Sequence, residues 1–542
     1  MSDSLYQAFL QNLREIERFR ATHLELYKDT PLEIDDPNVK RMIEALAFYG
    51  AQSRLQAVDK MTQMHQCLFR QYFPFLLNPL PSVSMLQVAH SLKNPEIIDL
   101  PAGTEFYLCT DNNPKATFQT LEPLSLLPMS IAQSEFEKQQ DHTYLFSMTY
   151  RLSEKTNKRI SEIPFYINHL SSFFSSLRIF FALQRSMESI TITYDCEEPQ
   201  TTKATFGYRG HRKILTHPVE QVRTFFHFPQ QELYMTLDLP EIEKGWKEIT
   251  ITIRLSSSWP SSIKLTDETF VPFAVPIINL KTEYSDPVIC DGTKEGYPLL
   301  HPEPSLKYQL HTVLHVAKIL PTGTKTLKPG ILGRKEETYE IDYHSKHLLL
   351  NMPKAFTKPE TLTVKALWTQ PWFADTVNEE QTIQASISQL TNKKTRLLSK
   401  IYPYENTQQD DPNYLLRIFS LKNQNTFTLN ELLFILNAAK NLDNSLFDII
   451  PDLIVKMQTN QKIKDNNTGS LMEYEFFLKN WGGQKWELVV LFFVYLHKFL
   501  HAWLSYFEIE VKVHIPGAKR PLIIKGGKQN ELTILAKNFF LS

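Results

Sequence analysis

The segment "IDDPNVKRMIEALAFYG", Ile34 to Gly50, carries a strong helix start followed by an apolar stripe. Asp36 suits the N-cap. Pro37 suits the first helical position, because its fixed φ matches a helix and its missing N–H is not needed there. The residues that then recur at helical spacing on one face are Val39, Met42, Ile43, Leu46 and Ala47. The pattern predicts an amphipathic helix whose apolar face packs either inside the chain or against a partner.

Further helices are expected on both sides of this segment. The residues at helical spacing before it are Leu5, Phe9, Leu13 and Ile16. The residues that indicate a separate, third helix after it are Val58, Met61, His65, Leu68 and Phe69. The three prolines of "FPFLLNPLPSV" then end the helical pattern, which places a domain boundary near residue 80.

The middle of the chain has mostly strand patterns. In "KEITITIRL", the residues Ile249, Ile251 and Ile253 alternate with polar ones. "DLPAGTEFYLCT" places Gly103 in a turn between two strands. The run "LRIFFAL", Leu177 to Leu183, is apolar except for Arg178, and its periodicity fits either a helix or a strand. "YQLHTVLHVAKIL" and "ETLTVKALW" extend the strand pattern to about residue 400.

Beyond a polar stretch near Lys400, helix and strand patterns alternate. "LNELLFILNAAKNLD" and Leu488–Phe507 are typical of helices, "EIEVKVHI" is typical of a strand, and Gly526-Gly527 suits a hairpin loop. The sequence therefore predicts an α+β, multidomain chain with a helical N-terminal region, β-rich middle domains and a mixed C-terminal region. The expected divisions are 1–80 (helical), 81–287 and 288–400 (β-rich), and 401–542 (α+β).

Composition and charge exclude some classes of protein. The 542 residues include 58 basic and 59 acidic ones, a net charge of -1, which argues against a general nucleic-acid binder. Four cysteines without a CxxC pair suit a reducing compartment. The N-terminus has no apolar segment of the kind that signal peptides carry. The run Leu488–Phe507 is long enough to span a bilayer, but His497, Lys498 and His501 favour a buried protein helix instead.

No pattern in the sequence points to catalysis. HExxH, the phosphate-binding loop, GxGxxG and GxSxG are all absent. His497 and His501 would share a helix face, but the sequence offers no further metal ligand beside them, so a structural pair is favoured. The sequence therefore predicts no catalytic residues, no cofactor site and no metal site. This profile favours a structural or interaction role; the alternative is a β-rich carbohydrate-acting enzyme or binding module whose aromatic residues line a glycan groove.

Several blocks resemble those of one known family. "LYQAFLQNLREIERFRATHLEL", "DPNVKRMIEALAFYGAQSR" and "LFRQYFPFLLNPLPSVSMLQV" resemble the N-terminal signature of the TssF family, baseplate wedge subunits of type VI secretion systems. "DLPAGTEF" resembles a later family block, and also baseplate J proteins of contractile phage tails. The blocks around Phe226–Pro229 and Asn279-Leu280 follow in the family's order. The family's Asn-Arg-Asp-Leu-Pro segment is replaced here by Gln370-Pro371-Trp372-Phe373, and its C-terminal Arg-Gly motif is not evident.

This resemblance implies a structural protein rather than an enzyme, with no cofactor. It implies a cytoplasmic baseplate docked at the inner membrane through a membrane complex, in which the chain scaffolds the contractile tail and spike and transmits the contraction signal. The implied partners are a TssG-like wedge partner, a second copy of the chain, a TssK-like adaptor, a TssE-like sheath initiator and the spike protein, with no nucleic acid and no direct membrane insertion. The interface candidates are Val39, Met42, Leu46, Phe48, Phe226, Phe228, Pro229, Asn279 and Leu280.

Overall fold

The structure is a computed structural model. It describes the chain except for residues 1–2, 27–36, 74–75, 77, 90–95, 111–114, 157–159, 196, 208–216, 241–244, 331–336, 344, 353–358, 377–381, 388–389, 391–392, 407–411, 423, 440–445, 464–469, 481–484, 505, 519 and 526–542. The helices are α1 (Asp3–Leu26), α2 (Pro37–Tyr72), α3 (Phe173–Ser186), α4 (Pro218–His227), α5 (Pro412–Lys422), α6 (Leu429–Ala439), α7 (Ile449–Leu453) and α8 (Trp486–Trp503). Short 3-10 turns lie at Pro229–Glu232, Pro304–Leu306 and Pro371–Thr376.

The strands form separate sheets along the chain. In chain order they are β1 (Val83–Ala89), β2 (Ile98–Leu100), β3 (Glu105–Cys109), β4 (Ala116–Thr120), β5 (Leu124–Leu126), β6 (Met129–Lys138), β7 (Tyr144–Thr156), β8 (Glu162–Ile167), β9 (Met187–Tyr194), β10 (Gln200–Thr202), β11 (Ala204–Phe206), β12 (Tyr234–Asp238), β13 (Trp246–Leu255), β14 (Phe270–Pro272), β15 (Ala274–Ile278), β16 (Lys281–Tyr284), β17 (Val288–Cys290), β18 (Gly296–Pro298), β19 (Gln309–Leu320), β20 (Gly323–Thr326), β21 (Lys328–Pro329), β22 (Thr338–Asp342), β23 (His347–Asn351), β24 (Glu360–Thr369), β25 (Thr382–Ala385), β26 (Lys394–Leu397), β27 (Ile454–Ile463), β28 (Ser470–Leu478), β29 (Glu508–His514) and β30 (Leu522–Lys525).

The chain divides into two compact units. The first consists of Met1–Pro74 with Gln409–Ser420, and the second of Phe75–Gln408 with Leu421–Ser542. The first unit contains the pair α1 and α2, which pack against each other. The small side chains Ala47 and Ala51 are fully buried there. The predicted N-cap, Asp36, lies outside the described residues, and α2 begins at Pro37 as expected.

The prediction of a separate third helix is wrong. The residues assigned to it belong to α2, which runs without interruption for 36 residues. No proline lies between Pro37 and Pro74, and the single Gly50 costs only about 1 kcal/mol in a helix interior. That cost is too small to break a helix whose face is buried by packing.

In the second unit, a five-stranded sheet (β10-β9-β13-β7-β6) packs against a four-stranded sheet (β11-β12-β8-β14). Rings from the facing strands meet: Phe146 and Phe270 have ring centroids 5.4 Å apart, and Tyr150 and Phe165 are 5.7 Å apart. The predicted alternation of β13 is confirmed, since its isoleucines are fully buried. Gly103 has a φ of 87°, as the expected turn between β2 and β3 requires.

The apolar run whose state the sequence left open lies in α3. Ser172 caps this helix by accepting a hydrogen bond from the backbone N–H of Ser175. The whole run from Leu177 to Leu183 is buried except Arg178. Burial on nearly every side explains the missing periodicity, because no helix face has to be polar.

Residues 281–369 form a β-domain inserted into the chain between β15 and β25. It contains a five-stranded sheet (β16-β24-β19-β20, with β17 also on β24) and a four-stranded sheet (β18-β23-β22-β21). Its core residues include Cys290, Val316, Leu348, Leu362, Val364 and Trp368. After this domain, β25 and β26 return to a six-stranded sheet in the order β25-β3-β4-β15-β1-β26. The domain divisions expected from the sequence stay predictions.

The C-terminal part combines α8 with the sheet β27-β28-β29-β30, in which β28 and β29 run parallel. As expected for Leu488–Phe507, α8 is a buried protein helix. Within the described part of the chain, no helix is long and apolar enough to cross a membrane. His497 is tolerated inside α8 because its Nε2 lies 3.0 Å from the carbonyl oxygen of Ile509 and donates to it. The proposed Gly526-Gly527 hairpin lies outside the described residues.

Candidate interaction surfaces

One face of α2 exposes large apolar side chains. Met42 is 66% exposed and Leu46 is 59% exposed, and Tyr49, one turn further, is 66% exposed. The spacing i, i+4, i+7 places these three on one helix face. Ala47 and Ala51, by contrast, are fully buried. Of the other candidates on this helix, Val39 and Phe48 are half-buried.

This exposure is unusual for a folded chain. Burying one such side chain fully lowers the free energy of the protein by about 1.5–3 kcal/mol. Several of them exposed on one face therefore indicate a surface that binds another protein. Further exposed apolar residues of the same unit are Tyr6, Phe19, Val58, Met61 and Met64. The face of α2 that carries Met42, Leu46 and Tyr49 is called the α2 apolar face below.

The candidates Phe226, Phe228 and Pro229 are buried within the second unit. The Phe226 ring lies edge-on to the rings of Phe447, Phe492 and Tyr495, with centroid separations of 5.6, 5.9 and 5.5 Å. Phe228 packs on Tyr402 at 5.2 Å. The Pro229 carbonyl accepts a hydrogen bond of 3.3 Å from the Tyr495 hydroxyl. Phe226 and Pro229 therefore join α4 and the turn that follows it to α8, whereas Phe228 packs on Tyr402.

An ion pair at the edge of this aromatic cluster completes the joint. Glu232 is 1% exposed, and its Oε1 lies 3.1 Å from the Lys498 ammonium. The same ammonium lies 4.5 Å from the centre of the Phe225 ring, a cation–π contact. Lys498, which argued against a membrane span in the sequence, thus has a structural partner.

The candidates Asn279 and Leu280 are also buried, at 1% and 0% exposure. They lie where the chain leaves β15 and enters the inserted domain. The Asn279 backbone N–H donates to the Ser82 carbonyl at 2.8 Å, and its side chain donates to the Thr117 carbonyl at 2.9 Å. Three other buried polar residues, which the sequence patterns did not identify, are Arg223, Gln370 and Glu473.

Three observations on the described residues concern groups that can carry chemistry. Among them, no group of three or more His, Cys, Asp or Glu side chains could hold a metal ion. The rings of His497 and His501 are parallel, with centroids 6.4 Å apart. Burial raises the pKa of the Cys290 thiol to about 12, so this group is a thiol rather than a nucleophilic thiolate at neutral pH.

An uncovered apolar helix face is typical of a protein that binds other proteins. A family model for TssF of the type VI secretion system matches residues 3–349, and the chain belongs to that family. It is therefore a structural component of a type VI secretion system baseplate. No curated protein sequence matches the chain.

Solved structures agree in fold. A chain in a cryo-electron microscopy structure of a type VI secretion system TssK-TssF-TssG baseplate subcomplex is similar with a TM-score of 0.72 and 16% identity, over 91% of this chain and 99% of that one. A chain in a structure of the type VI secretion system baseplate complex is similar with a TM-score of 0.59 and 15% identity, over 96% and 98%. At these identities the likeness shows the fold.

Proposed function

We propose that the chain is a wedge subunit that holds the contractile tail and spike in register and transmits the contraction signal. In this role it works through protein interfaces and without a cofactor. It acts in the cytoplasm, within a baseplate docked at the inner membrane through a membrane complex. Its matches are baseplate components, so a carbohydrate-acting enzyme or binding module has no support among them.

The observation that carries the proposal is the α2 apolar face. Met42, Leu46 and Tyr49 have the spacing of residues by which one helix packs on another. The three side chains are more than half exposed in the isolated chain. A TssG-like subunit is the proposed occupant, because the structural neighbour named above contains TssF with TssG and TssK.

The finer arrangement is also part of the proposal. Two copies of the chain join one TssG-like partner in each wedge, a TssK-like adaptor and a TssE-like sheath initiator bind the wedge, and the wedges surround the spike. The buried candidates Phe226, Phe228, Pro229, Asn279 and Leu280 contribute by keeping the second unit rigid. Val39 and Phe48 flank the α2 apolar face.

The test is co-expression with the TssG-like subunit, followed by size exclusion with mass determination. We expect a complex with two copies of this chain per partner. The double variant Met42→Glu, Leu46→Glu should lose the complex, because two carboxylates would be buried without partners at the interface. Expressed alone, the wild-type chain should be less stable than in the complex.

The matched control is Gln52→Glu, which adds a charge at another exposed position of the same helix. It should leave the complex intact. Far-UV circular dichroism should show equal helix content in all variants. A wild-type chain that remains a monomer beside the partner would overturn the wedge proposal, and a double variant that still binds would remove the α2 apolar face from it.

A further inference from the structure

The inserted domain (residues 281–369) is joined to the rest of the second unit through a narrow neck. The chain enters at Lys281 and leaves at Thr369, and the two passes are adjacent strands: Lys281 pairs with Trp368 in the antiparallel register of β16 and β24. Both covalent connections therefore cross at one place. Asn279 precedes the first crossing and Gln370 follows the second.

The two side-chain amides bind each other across the neck. The Nδ2 of Asn279 donates to the Oε1 of Gln370 at 3.2 Å. The backbone N–H of Gln370 donates to the Oδ1 of Asn279 at 2.8 Å, and the Thr369 hydroxyl donates to the same oxygen at 3.2 Å. The two ends of the inserted domain are thus tied together by side chains as well as by strand pairing.

The same pair also bonds to both sides of the neck. The Nε2 of Gln370 donates to the carbonyl of Lys115 at 3.2 Å and to the carbonyl of Leu306 at 2.9 Å. Lys115 precedes β4 of the six-stranded sheet, whereas Leu306 belongs to the inserted domain. The Oε1 of Gln370 accepts from the backbone N–H of Thr117 at 2.8 Å. Gln370 therefore bridges the inserted domain to the sheet directly.

Both amides are saturated. Each offers two N–H donors and one oxygen with two lone pairs, and with the bond from Asn279 to the Thr117 carbonyl every one of these is used. Asn279 is 1% exposed and Gln370 is 0% exposed. A fully satisfied buried polar network holds its members in one geometry, because no alternative arrangement satisfies all of them.

Further hydrogen bonds cross the neck. The Tyr308 hydroxyl lies 2.5 Å from the Thr117 hydroxyl, and the Nε2 of His311 donates to the Pro79 carbonyl at 3.1 Å. The apolar core of the inserted domain, built around Leu348, Val364 and Trp368, lies inside that domain. Polar interfaces between domains permit relative motion once their hydrogen bonds open.

We propose that Asn279 and Gln370 form a latch that fixes the orientation of the inserted domain on the six-stranded sheet, and that opening this latch frees the domain as a rigid body without unfolding it. Removing the two amides takes away the hydrogen bonds that these two side chains make at the neck, while the strands and core on either side keep their own contacts. This inference concerns the chain alone and does not depend on which partner binds it.

The experiment measures one distance in the full chain. Spin labels carried by an unnatural amino acid are placed at Thr324 in the inserted domain and at Glu137 in β6, both exposed positions. Pulsed electron paramagnetic resonance should give a single narrow distance peak for the wild type. The variant Asn279→Ala, Gln370→Ala should lose this narrow peak. The control Gln309→Ala removes an exposed amide opposite Thr369 in the register of β19 and β24, and should keep the peak.

Hydrogen exchange shows whether the domain stays folded. In the double variant, the amides of Thr117 and Gln370 should exchange faster, because their acceptors are removed, while β22 and β23 keep their protection. A broad wild-type peak, or a narrow peak in the double variant, would overturn the latch. Loss of protection in β22 and β23 would also overturn it, since the amides would then stabilise the fold of the domain. If the double variant does not accumulate in cells, the isosteric variant Asn279→Asp is measured instead, because it lacks the two N–H donors of the Asn279 amide. Loss of the narrow peak with protection kept in β22 and β23 supports the latch, and the contrary results overturn it.

Discussion

The side-chain amide of Asn12 on α1 donates a hydrogen bond of 3.3 Å to the backbone carbonyl of Ala47 on α2. Gly50 lies one turn further along α2, and a Cβ atom at that position would come within 3.1 Å of the Asn12 Nδ2. The glycine thus leaves the space that the asparagine uses. A single polar contact in a helix pair specifies its register, because sliding the helices would leave the amide unpaired.

This relationship predicts that Gly50 and Asn12 are energetically coupled. Helix propensity by itself favours alanine over glycine in a helix interior by about 1 kcal/mol in the free energy of unfolding. When Asn12 is present, the new methyl group of Gly50→Ala should crowd its side chain and cancel much of this gain, because a displaced hydrogen bond costs about 1 kcal/mol. In an Asn12→Ala background the full gain should appear. Thermal unfolding of the four variants, followed by circular dichroism, measures the coupling; strictly additive shifts would contradict it.

The sequence predicts the start and type of α2 but not which face packs on α1. The stripe Val39, Met42, Ile43, Leu46 and Ala47 is apolar throughout, yet Met42 and Leu46 are exposed while Ala47 is buried. Small residues let two helices approach closely, and this selects the alanine side of the stripe for burial. Hydrophobic periodicity gives the most weight to large apolar residues. It therefore cannot distinguish a helix face that packs inside the chain from one that binds a partner.

Phe226 anchors the aromatic cluster between α4 and α8. Phe226→Ala should destabilise the chain by about 3–5 kcal/mol, because it removes a buried ring and leaves a cavity among three other aromatic rings. Phe19→Ala is the control: Phe19 is 71% exposed, so the loss should be less than about 1 kcal/mol. Urea unfolding followed by tryptophan fluorescence measures both. A loss of unfolding free energy for Phe226→Ala as small as that of Phe19→Ala would mean that the aromatic cluster contributes little to stability.

Arg223 ties together three distant parts of the second unit. Its Nε donates to the Ala439 carbonyl at 2.7 Å and its Nη2 to the Asn78 carbonyl at 2.8 Å. Arg223→Lys should cost about 2–3 kcal/mol, because one ammonium cannot reproduce the directions of a guanidinium and a buried carbonyl loses its donor. Arg254→Lys, at an exposed ion pair with Asp141, should cost less than about 1 kcal/mol. The difference in thermal midpoint between the two variants is the measurement, and similar midpoints would count against the role of Arg223.

Arg223 and Gln370 also show why sequence patterns miss such residues. The Arg223 partners lie 216 and 145 positions away in the chain, and Thr117 lies 253 positions from Gln370. Local periodicity describes one helix or strand at a time, so it predicts the alternation of β13 and the helical type of α8. It does not predict the partners of a buried polar side chain, because the tertiary fold brings those partners together from distant parts of the chain. The family resemblance directed attention to Asn279, but Gln370 stands where this sequence departs from the family pattern.

Glu473 predicts an acid sensitivity in the C-terminal sheet. Its side chain is 3% exposed and lies 2.7 Å from both the Lys462 and the Lys512 ammonium groups. Burial alone would raise the pKa of this carboxyl, but the hydrogen bonds from the two lysines outweigh it and lower the pKa to about 2. A carboxyl whose pKa is lower in the folded state stabilises that state above its unfolded pKa, near 4.5, and this contribution is lost as the pH falls from there toward 2. The thermal midpoint of the wild type should therefore fall through this range.

Glu473→Gln should lower the midpoint at neutral pH and flatten its decline in acid, whereas Glu197→Gln, at an exposed carboxyl, should leave the wild-type profile unchanged. Parallel profiles for the wild type and Glu473→Gln would show that other carboxyls set the acid limit.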